Sequence, residues 1–558
     1  WNPAFNPNST TTYTFTPSAP QCAAIVTLTV AVGNTTTWTG LPIGWDNGEP
    51  ISTSTAIISA NYSEAVNINA CTLTINNDAT VVIPSTYNVF LSGALSVNSG
   101  SFTLNNNANL IQSFDVENFG NIIVKRESSP ISRLDYTLWS SPVENQMLKA
   151  FSPGTLSNRF YTYDSTLGTS GLYAVVSDPI TTPFSEGIGY IIRASNWHPT
   201  TPTIWQGIYT GVPNNGNVSI IVSNGTYNAI GNPYPSSIDA DAFIDANNLV
   251  EPLYFWRKIN NLSTDPLLQT PSYATYTKAG GVGTTAANSS GGSTIVPNGV
   301  IQVGQGFITK STSTTLNFTN SFRIADNNNQ FLRSNTSKSR YWLNLYQDSN
   351  LMNQMMIAYM PSATLGIDAA IDGRFLETNI PTQLSSIINN EEYVVQGRPT
   401  FNVLDVVVLG FKTQITGNYT IALDHVDGLF SNNQEIFIKD NLTNTVHNLS
   451  ESGYDFYASA GTNNMRFEIV YQETLANDEV LNDSNNVNIY KQNDEIVIDA
   501  GKLNLKSVKV FDLSGGVVAD KKTIQATKAK LNVGTANQVL LVQIYTEDNK
   551  ISIKKVIN

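Results

Sequence analysis

The chain has 558 residues, which is more than a single hydrophobic core usually organises, and this length predicts three or more domains. Charged residues make up 13% of the chain, about half the usual share, while 10% are aromatic, and this composition excludes an intrinsically disordered polar chain. The net charge of −13 at pH 7 argues against nucleic acid or an anionic membrane as a partner.

Residues 1–32 have the pattern of strands but are too short to form a domain. Apolar residues alternate with polar or small ones from Val26 to Val32, which is the period of a β-strand. The segment resembles the final strands of an immunoglobulin-like repeat of large surface adhesins. That resemblance implies that Cys22 bonds to a cysteine upstream and that the chain is the C-terminal fragment of a longer protein. The cysteine count alone leaves a bond between Cys22 and Cys71 open.

Residues 33–120 carry short apolar pairs at regular intervals. Asn, Ser and Gly fill the gaps between the pairs. Strands this short and evenly spaced predict a short β-solenoid or β-helix, with an ordinary meander of hairpins as the alternative. The pairs are Leu73/Ile75, Val81/Ile83, Val89/Leu91, Leu95/Val97 and Phe102/Leu104.

Two tryptophans near the start of this segment are candidates for a glycan-binding surface. Trp38 and Trp45 flank a loop that contains Gly and Pro, and the faces of aromatic rings stack on sugar rings. The alternative is that the two indoles cap the end of the solenoid core.

Residues 121–338 are predicted to form a β-rich domain interrupted by many Pro and Gly residues. Residues 187–193 (GIGYIIR) and 304–310 (GQGFITK) share the pattern Gly-x-Gly-aromatic-Ile-x-basic, which makes them candidates for equivalent strands of one sandwich. Neither is followed by a further glycine or a helix, so neither is a dinucleotide-binding loop.

An acidic cluster within this region is the candidate metal site. Alternating oxygen ligands can bind calcium, but the EF-hand pattern needs Gly and Glu where this chain has Ile244 and Val250. We prefer a short helix that is N-capped by Ser236 or Ser237 and packs its apolar side chains inward. No cofactor is predicted, and calcium is the candidate ion. The cluster consists of Asp239, Asp241 and Asp245.

Three segments follow toward the C-terminus. Residues 339–472 contain six strand-like runs and are predicted to form a β-sandwich. Residues 473–486 are acidic and rich in Asn without periodicity, which indicates a linker. Residues 487–558 contain four further strand patterns and form the last module. The predicted fold is therefore all-β and multidomain, with immunoglobulin-like strands, a short β-solenoid, β-sandwich domains and a small C-terminal β-sandwich.

Three blocks occur in order at the extreme C-terminus: 508–515 (VKVFDLSG), 537–544 (NQVLLVQI) and 554–557 (KKVI). With these blocks, residues 487–558 resemble the sorting domain of the type IX secretion system, in the variant called type C. One departure is Gly516, where relatives usually have Arg. Upstream motifs such as NAIGNPYPSSIDADAF resemble the stalk and sandwich regions that precede this domain. The resemblance implies a sorting signal made of Val510, Phe511, Asp512, Leu513, Ser514, Gly515, Gln538, Leu540, Val542, Lys554, Lys555 and Val556.

The net charge of the last module favours a role as a targeting signal. Residues 487–558 contain 11 lysines and 7 acidic residues, a net charge of +4, whereas the rest of the chain carries −17. A complementary acidic surface could read such a module, although a solvated lysine face is the alternative. The resemblance implies two partners, the outer-membrane translocon of the secretion system and its substrate shuttle protein. It also implies secretion through the periplasm and outer membrane to the cell surface or the medium.

The sequence singles out no catalytic residues. His198, His425 and His447 lie in separate segments without metal-ligand spacing, and no Ser–His–Asp set or metal motif stands out. We therefore predict a protein that is not an enzyme, an adhesin or structural stalk at the cell surface. The alternatives are an array of carbohydrate-binding modules with surface glycan as its partner, and the C-terminal part of a secreted enzyme.

Overall fold

The fold is all-β, as predicted, with 5% of the residues helical and 50% in strands. The chain forms two compact units, Trp1–Tyr471 and Gln472–Asn558. In the part of the chain that is described, no helix is long and apolar enough to cross a membrane. A computed structural model describes residues 11–16, 24, 26–30, 33–168, 171–257, 270–284, 296–326, 338–377, 379–472, 487–492, 495–501, 503–512, 516–534, 539–547 and 551–557.

The first two strands form an antiparallel pair. Strand β1 (Thr11–Phe15) pairs with β2 (Val26–Val30), which fits the predicted alternation in this segment. Cys22 lies outside the described residues, and Cys71 carries a free thiol that is half-buried.

Ten short strands build a parallel β-helix with three faces. One face contains β3, β4, β6 and β9, the second β5, β8 and β11, and the third β7, β10 and β12, and all neighbours within a face are parallel. The predicted solenoid is therefore confirmed, and the meander of hairpins is excluded. The strands are β3 (Thr35–Trp38), β4 (Thr55–Ile58), β5 (Ile68–Ala70), β6 (Thr72–Ile75), β7 (Thr80–Ile83), β8 (Asn88–Leu91), β9 (Leu95–Val97), β10 (Ser101–Leu104), β11 (Asn109–Gln112) and β12 (Ile122–Glu127).

The β-helix is stabilised by the stacking of equivalent residues from its successive turns. Val81 lies beside Phe102 and Val89 beside Leu110, and all four side chains are fully buried. Polar residues stack in the same way, since the side-chain amide Nδ2 of Asn109 donates a 2.9 Å hydrogen bond to the buried Oδ1 of Asn88. Each turn therefore repeats the apolar and polar positions of the turn before it, which is the origin of the regular spacing in the sequence.

The next part of the chain contains fifteen strands and two short helices among its described residues. The strand β17 extends the third face of the β-helix by pairing antiparallel with β12. Single 3₁₀ turns occur at Ser157–Arg159 and Asn320–Phe322. The elements are β13 (Tyr136–Trp139), α1 (Leu148–Phe151), β14 (Phe160–Asp164), β15 (Leu172–Val175), β16 (Tyr190–Arg193), β17 (Gln206–Gly211), β18 (Val218–Ile221), β19 (Tyr227–Gly231), β20 (Ser237–Asp239), α2 (Ala240–Ala246), β21 (Leu253–Trp256), β22 (Tyr273–Thr277), β23 (Gly280–Val282), β24 (Val300–Ile301), β25 (Gly306–Lys310), β26 (Thr315–Phe318) and β27 (Arg323–Ile324).

Two sheets of this region are copies of one motif. The strand order β13-β16-β14-β15 in one sheet matches β19-β25-β21-β22 in the other, so β16 and β25, which carry the shared Gly-x-Gly pattern, are equivalent strands. The copies exchange reciprocal hydrogen bonds, because the Ser140 amide donates to the Gly304 carbonyl and the Gly231 amide to the Gly187 carbonyl, each at 2.9 Å. Apolar side chains from both sheets share one core, so the predicted equivalence within a sandwich holds.

Residues 338–471 form a second sandwich of a five-stranded and a six-stranded sheet. The orders are β32-β29-β28-β34-β37 and β31-β30-β33-β38-β35-β36. A 3₁₀ turn occurs at Gly428–Asn432. The strands are β28 (Ser339–Gln347), β29 (Asn350–Tyr359), β30 (Thr382–Ile388), β31 (Glu391–Tyr393), β32 (Val395–Arg398), β33 (Val407–Thr413), β34 (Gly417–Asp427), β35 (Phe437–Asp440), β36 (Thr445–Asn448), β37 (Tyr454–Ala458) and β38 (Gly461–Val470).

The second unit has a three-stranded sheet, β39-β40-β43, and a four-stranded sheet, β42-β41-β44-β45, around one apolar core. The predicted linker, 473–486, lies outside the described residues. The strands are β39 (Asn488–Gln492), β40 (Glu495–Asp499), β41 (Leu505–Phe511), β42 (Val517–Ala526), β43 (Lys528–Asn532), β44 (Val539–Thr546) and β45 (Ile551–Ile557).

Candidate functional site

The four-stranded sheet of the second unit brings the three C-terminal blocks together. Val510 of β41 lies opposite Val542 of β44, which lies opposite Lys554 of β45. The next row joins Phe511, Leu541 and Lys555 in the same order. Segments that are spread over about 50 positions of sequence therefore occupy three neighbouring strands.

Three of the predicted sorting residues are core residues. Val510, Leu540 and Val542 are fully buried and pack with the other apolar side chains of the second unit. Their neighbours on the opposite face are more accessible, since Phe511 is half-buried and Leu541 is 36% exposed. The buried residues therefore maintain the sheet, and a partner can contact only the outer face and the edges.

Asp512 closes the turn between β41 and β42. Its amide donates to the Gly516 carbonyl at 2.9 Å, and its carboxylate accepts a 2.8 Å hydrogen bond from the Gly516 amide. A Cβ atom at Gly516 would lie 2.7 Å from the Asp512 carboxylate, so a larger residue there requires that carboxylate to move. The remaining predicted sorting residues of this stretch, Leu513, Ser514, Gly515 and Gln538, lie outside the described residues.

Both edge strands of this sheet carry a pair of adjacent lysines. Lys521 and Lys522 lie on β42, and Lys554 and Lys555 lie on β45. Lysines on edge strands oppose unspecific pairing with other sheets, so each pair has a structural use as well as a charge. Strand β45 is the last strand of the described sheet and pairs on one side with β44. Its other side is therefore a free edge of that sheet.

The acidic cluster of the first unit does not converge on one point. Asp239 caps α2 by accepting hydrogen bonds from the amides of Asp241 and Ala242, so the predicted capping by Ser236 or Ser237 is wrong. Ser237 lies two residues before the cap position, at the start of β20. Among the described residues, no group of three or more His, Cys, Asp or Glu side chains could hold a metal ion.

The other two carboxylates of the cluster have separate partners. Asp241 accepts a 2.9 Å hydrogen bond from the Tyr276 hydroxyl, and burial raises the pKa of Asp241 above its usual value. Asp245 forms a 2.5 Å ion pair with Lys278. The three side chains therefore cap α2 and tie it to its neighbours. The expected short helix is present and buries Phe243 and Ile244, with Asp239 in place of a serine as its cap.

The two candidate glycan-binding tryptophans close the end of the β-helix. Trp38 is only 5% exposed, and its indole N–H donates to the Asn61 carbonyl at 3.0 Å. Its ring packs edge to face against Trp45 and Tyr62, with ring centroids 5.8 Å and 5.0 Å apart. Trp38 thus offers no ring face to a ligand, and Trp45 is half-buried against it. An exposed indole occurs elsewhere, at Trp197, which the sequence pattern does not distinguish from the other tryptophans.

Comparison with known families divides the chain at nearly the same place as the structure does. A family model described as a domain of unknown function (DUF8693) matches residues 33–471. A second model described as a domain of unknown function (DUF8694) matches residues 475–558. No curated protein matches the chain.

Proposed function

The chain belongs to the family described as domain of unknown function DUF8693, and on that premise we propose that it is a secreted bacterial cell-surface protein that acts as an adhesin or structural stalk. Its second unit is the sorting module that the type IX secretion system recognises. The route runs through the periplasm and across the outer membrane, with the substrate shuttle protein and the outer-membrane translocon as partners. The protein acts by binding rather than by catalysis.

The observation that carries this proposal is the meeting of the three sequence blocks on β41, β44 and β45. The buried members of the blocks define the sheet, and the free side of β45 offers main-chain donors and acceptors at the end of the chain. A partner can recognise such an edge by adding a strand to it. Lys554 and Lys555 are residues of this edge strand.

The charge difference between the module and its cargo supports the same proposal. The module 487–558 carries +4, and the rest of the chain carries −17. An acidic receptor attracts the basic module and repels the acidic cargo, so the module approaches the receptor first. This steering raises the association rate more than the affinity.

The two lysine pairs allow a test with a matched control. We expect the double variant Lys554→Ala/Lys555→Ala to accumulate in the periplasm of a host that has the secretion system. The control, Lys521→Ala/Lys522→Ala, removes the same charge from the opposite edge strand and should still reach the surface. Cell fractionation with antibody detection measures both. Equal export of the two variants would refute recognition at the β45 edge.

A further inference from the structure

The first unit presents one tryptophan to solvent. Trp197 is 79% exposed, whereas the other six tryptophans that the structure describes are buried or half-buried. An exposed indole offers a flat apolar surface on which the ring of a ligand can stack.

The loop that carries Trp197 is fixed rather than loosely tethered. The Trp197 amide donates to the Ser195 hydroxyl at 3.1 Å, and the amide of Asn196 donates to the Gly154 carbonyl at 2.9 Å. The next residue, His198, is buried, and its Nε2–H donates a 2.8 Å hydrogen bond to the Ile131 carbonyl. Anchors on both sides of Trp197 fix the backbone of the loop before any ligand arrives.

Gly154 sets the position of the ring. A Cβ atom at Gly154 would lie 2.0 Å from the Ser195 Oγ and 2.8 Å from Cε3 of Trp197, so the indole lies directly against the backbone at this glycine. The six-membered ring of Trp197 therefore has support on one side while most of the side chain remains open to solvent.

Trp197 stands at the wall of an open cleft of about 550 Å³, a volume within the usual range of small-ligand sites. The outer face of β17 also lines the cleft, where Gln206, Ile208 and Thr210 are exposed. Trp205 also lines the cleft and packs edge to face against Phe151, with centroids 5.2 Å apart. Among the described residues that line this cleft, none is charged.

The duplicated motif carries a loop of this length after only one of its two equivalent strands. In the second copy, β25 is followed at once by the short turn 311–314 and then β26. In the first copy, the equivalent strand β16 is followed by the longer connection that carries Trp197. The exposed indole is therefore a feature of the first copy alone.

We propose that this cleft binds a neutral oligosaccharide. The C–H face of a sugar ring stacks on an exposed indole, and amide and hydroxyl side chains such as those of Asn145, Gln206 and Thr210 pair with sugar hydroxyls. The uncharged lining matches a ligand without carboxylate, sulfate or phosphate groups. The inference extends the proposed surface role by naming its ligand class, and it concerns the purified protein, so that a failure of export would not affect it.

Binding is tested with the purified full chain and soluble oligosaccharides. The neutral probes are β-1,4-linked oligomers of glucose, xylose and N-acetylglucosamine and α-linked oligomers of mannose, and sulfated and uronic acid oligomers are the charged comparison. We expect at least one neutral probe to bind and the charged ones not to bind, as measured by isothermal titration calorimetry. We expect Trp197→Ala to weaken the neutral interaction by about tenfold or more.

The control is Tyr457→Ala, which removes an exposed aromatic side chain (61% exposed) from the second sandwich and should leave binding unchanged. Because Trp197 contributes little to the core, Trp197→Ala should melt at the temperature of the unaltered protein, which shows that a loss of binding is not a loss of folding. The proposal is overturned if no neutral probe binds, if only charged probes or peptides bind, or if Trp197→Ala binds as well as Tyr457→Ala.

Discussion

Replacing Asp440 by Ala tests how the six-stranded sheet of the second sandwich is stabilised. The Asp440 side chain is fully buried, and its carboxylate lies 2.8 Å from the guanidinium of Arg466, whose side chain is 7% exposed. The hydroxyl of Tyr454 donates a further 3.0 Å hydrogen bond to the same carboxylate. Arg466 also lies over the rings of Phe456 and Phe467, at 4.9 Å and 4.8 Å from their centroids. Asp440→Ala would leave this cation in an apolar environment without its counter-ion.

The loss of stability in Asp440→Ala follows from the burial of the Asp440–Arg466 ion pair. Removing one partner of a buried ion pair destabilises a protein by about 3–5 kcal/mol, which corresponds to a factor of roughly 10² to 10⁴ in the equilibrium for opening the sheet. An exposed pair behaves differently, since its contribution is only about 0–1 kcal/mol. Arg374 and Glu391 form such a pair, with side chains 47% and 45% exposed, so Glu391→Ala is the matched control.

Hydrogen–deuterium exchange with mass spectrometry of the full chain measures the local effect without assuming that the chain unfolds in one step. In Asp440→Ala, peptides that cover Phe437–Asp440 and Gly461–Val470 should exchange faster by about two or more orders of magnitude. Glu391→Ala should change its own strand by less than about fivefold. If Asp440→Ala exchanges no faster than Glu391→Ala, the buried pair does not stabilise the sheet as argued.

Two further predictions concern pH and packing. Burial raises the pKa of the Asp372 carboxyl to about 6, above its value in the unfolded chain. The native state therefore binds the carboxyl proton more tightly than the unfolded state does. The protein should lose about 2–3 kcal/mol of stability as the pH rises from 4 through 6. Exchange at the Gly397 amide, which donates to Asp372, should show this dependence after correction for intrinsic rates, and Asp372→Asn should abolish it. Phe102→Ala opens a cavity in the β-helix and should cost about 3–5 kcal/mol, whereas Phe114→Ala, at a 61% exposed site, should cost under about 0.5 kcal/mol in calorimetry. Equal melting of the two Phe variants would contradict the stacked core.

The β-helix was predictable because its turns repeat. Val81 and Phe102 occupy equivalent places one turn apart, and every turn must bury the same positions, so the fold leaves a regular trace in the sequence. The duplicated sheets leave a much weaker trace, the single Gly-x-Gly pattern shared by β16 and β25, because the connections between their strands differ in length. Strand order and reciprocal hydrogen bonds, which only the structure gives, establish that equivalence.

The candidate sites were less predictable because exposure depends on tertiary contacts. Trp38 flanks a loop that contains Gly and Pro, yet the end of the β-helix needs an apolar cap and takes its ring into the core. Trp197 has no periodic neighbours, and its ring lies against Gly154, a residue distant in sequence. The helix cap was misplaced because Ser and Asp are both good caps, and the helix begins at Ala240, directly after Asp239, rather than after Ser236 or Ser237.

We propose that residues 472–558 direct export, and a fusion protein tests this role most directly. A fluorescent protein that is targeted to the periplasm and joined to residues 472–558 should appear at the surface or in the medium of a bacterium with type IX secretion. The same fusion without Ile551–Ile557, which lacks the edge strand β45, should stay in the periplasm, as should the intact fusion in a host without the translocon. Retention of the intact fusion in the periplasm of the secretion-competent host, or export of the fusion that lacks β45, would contradict the claim.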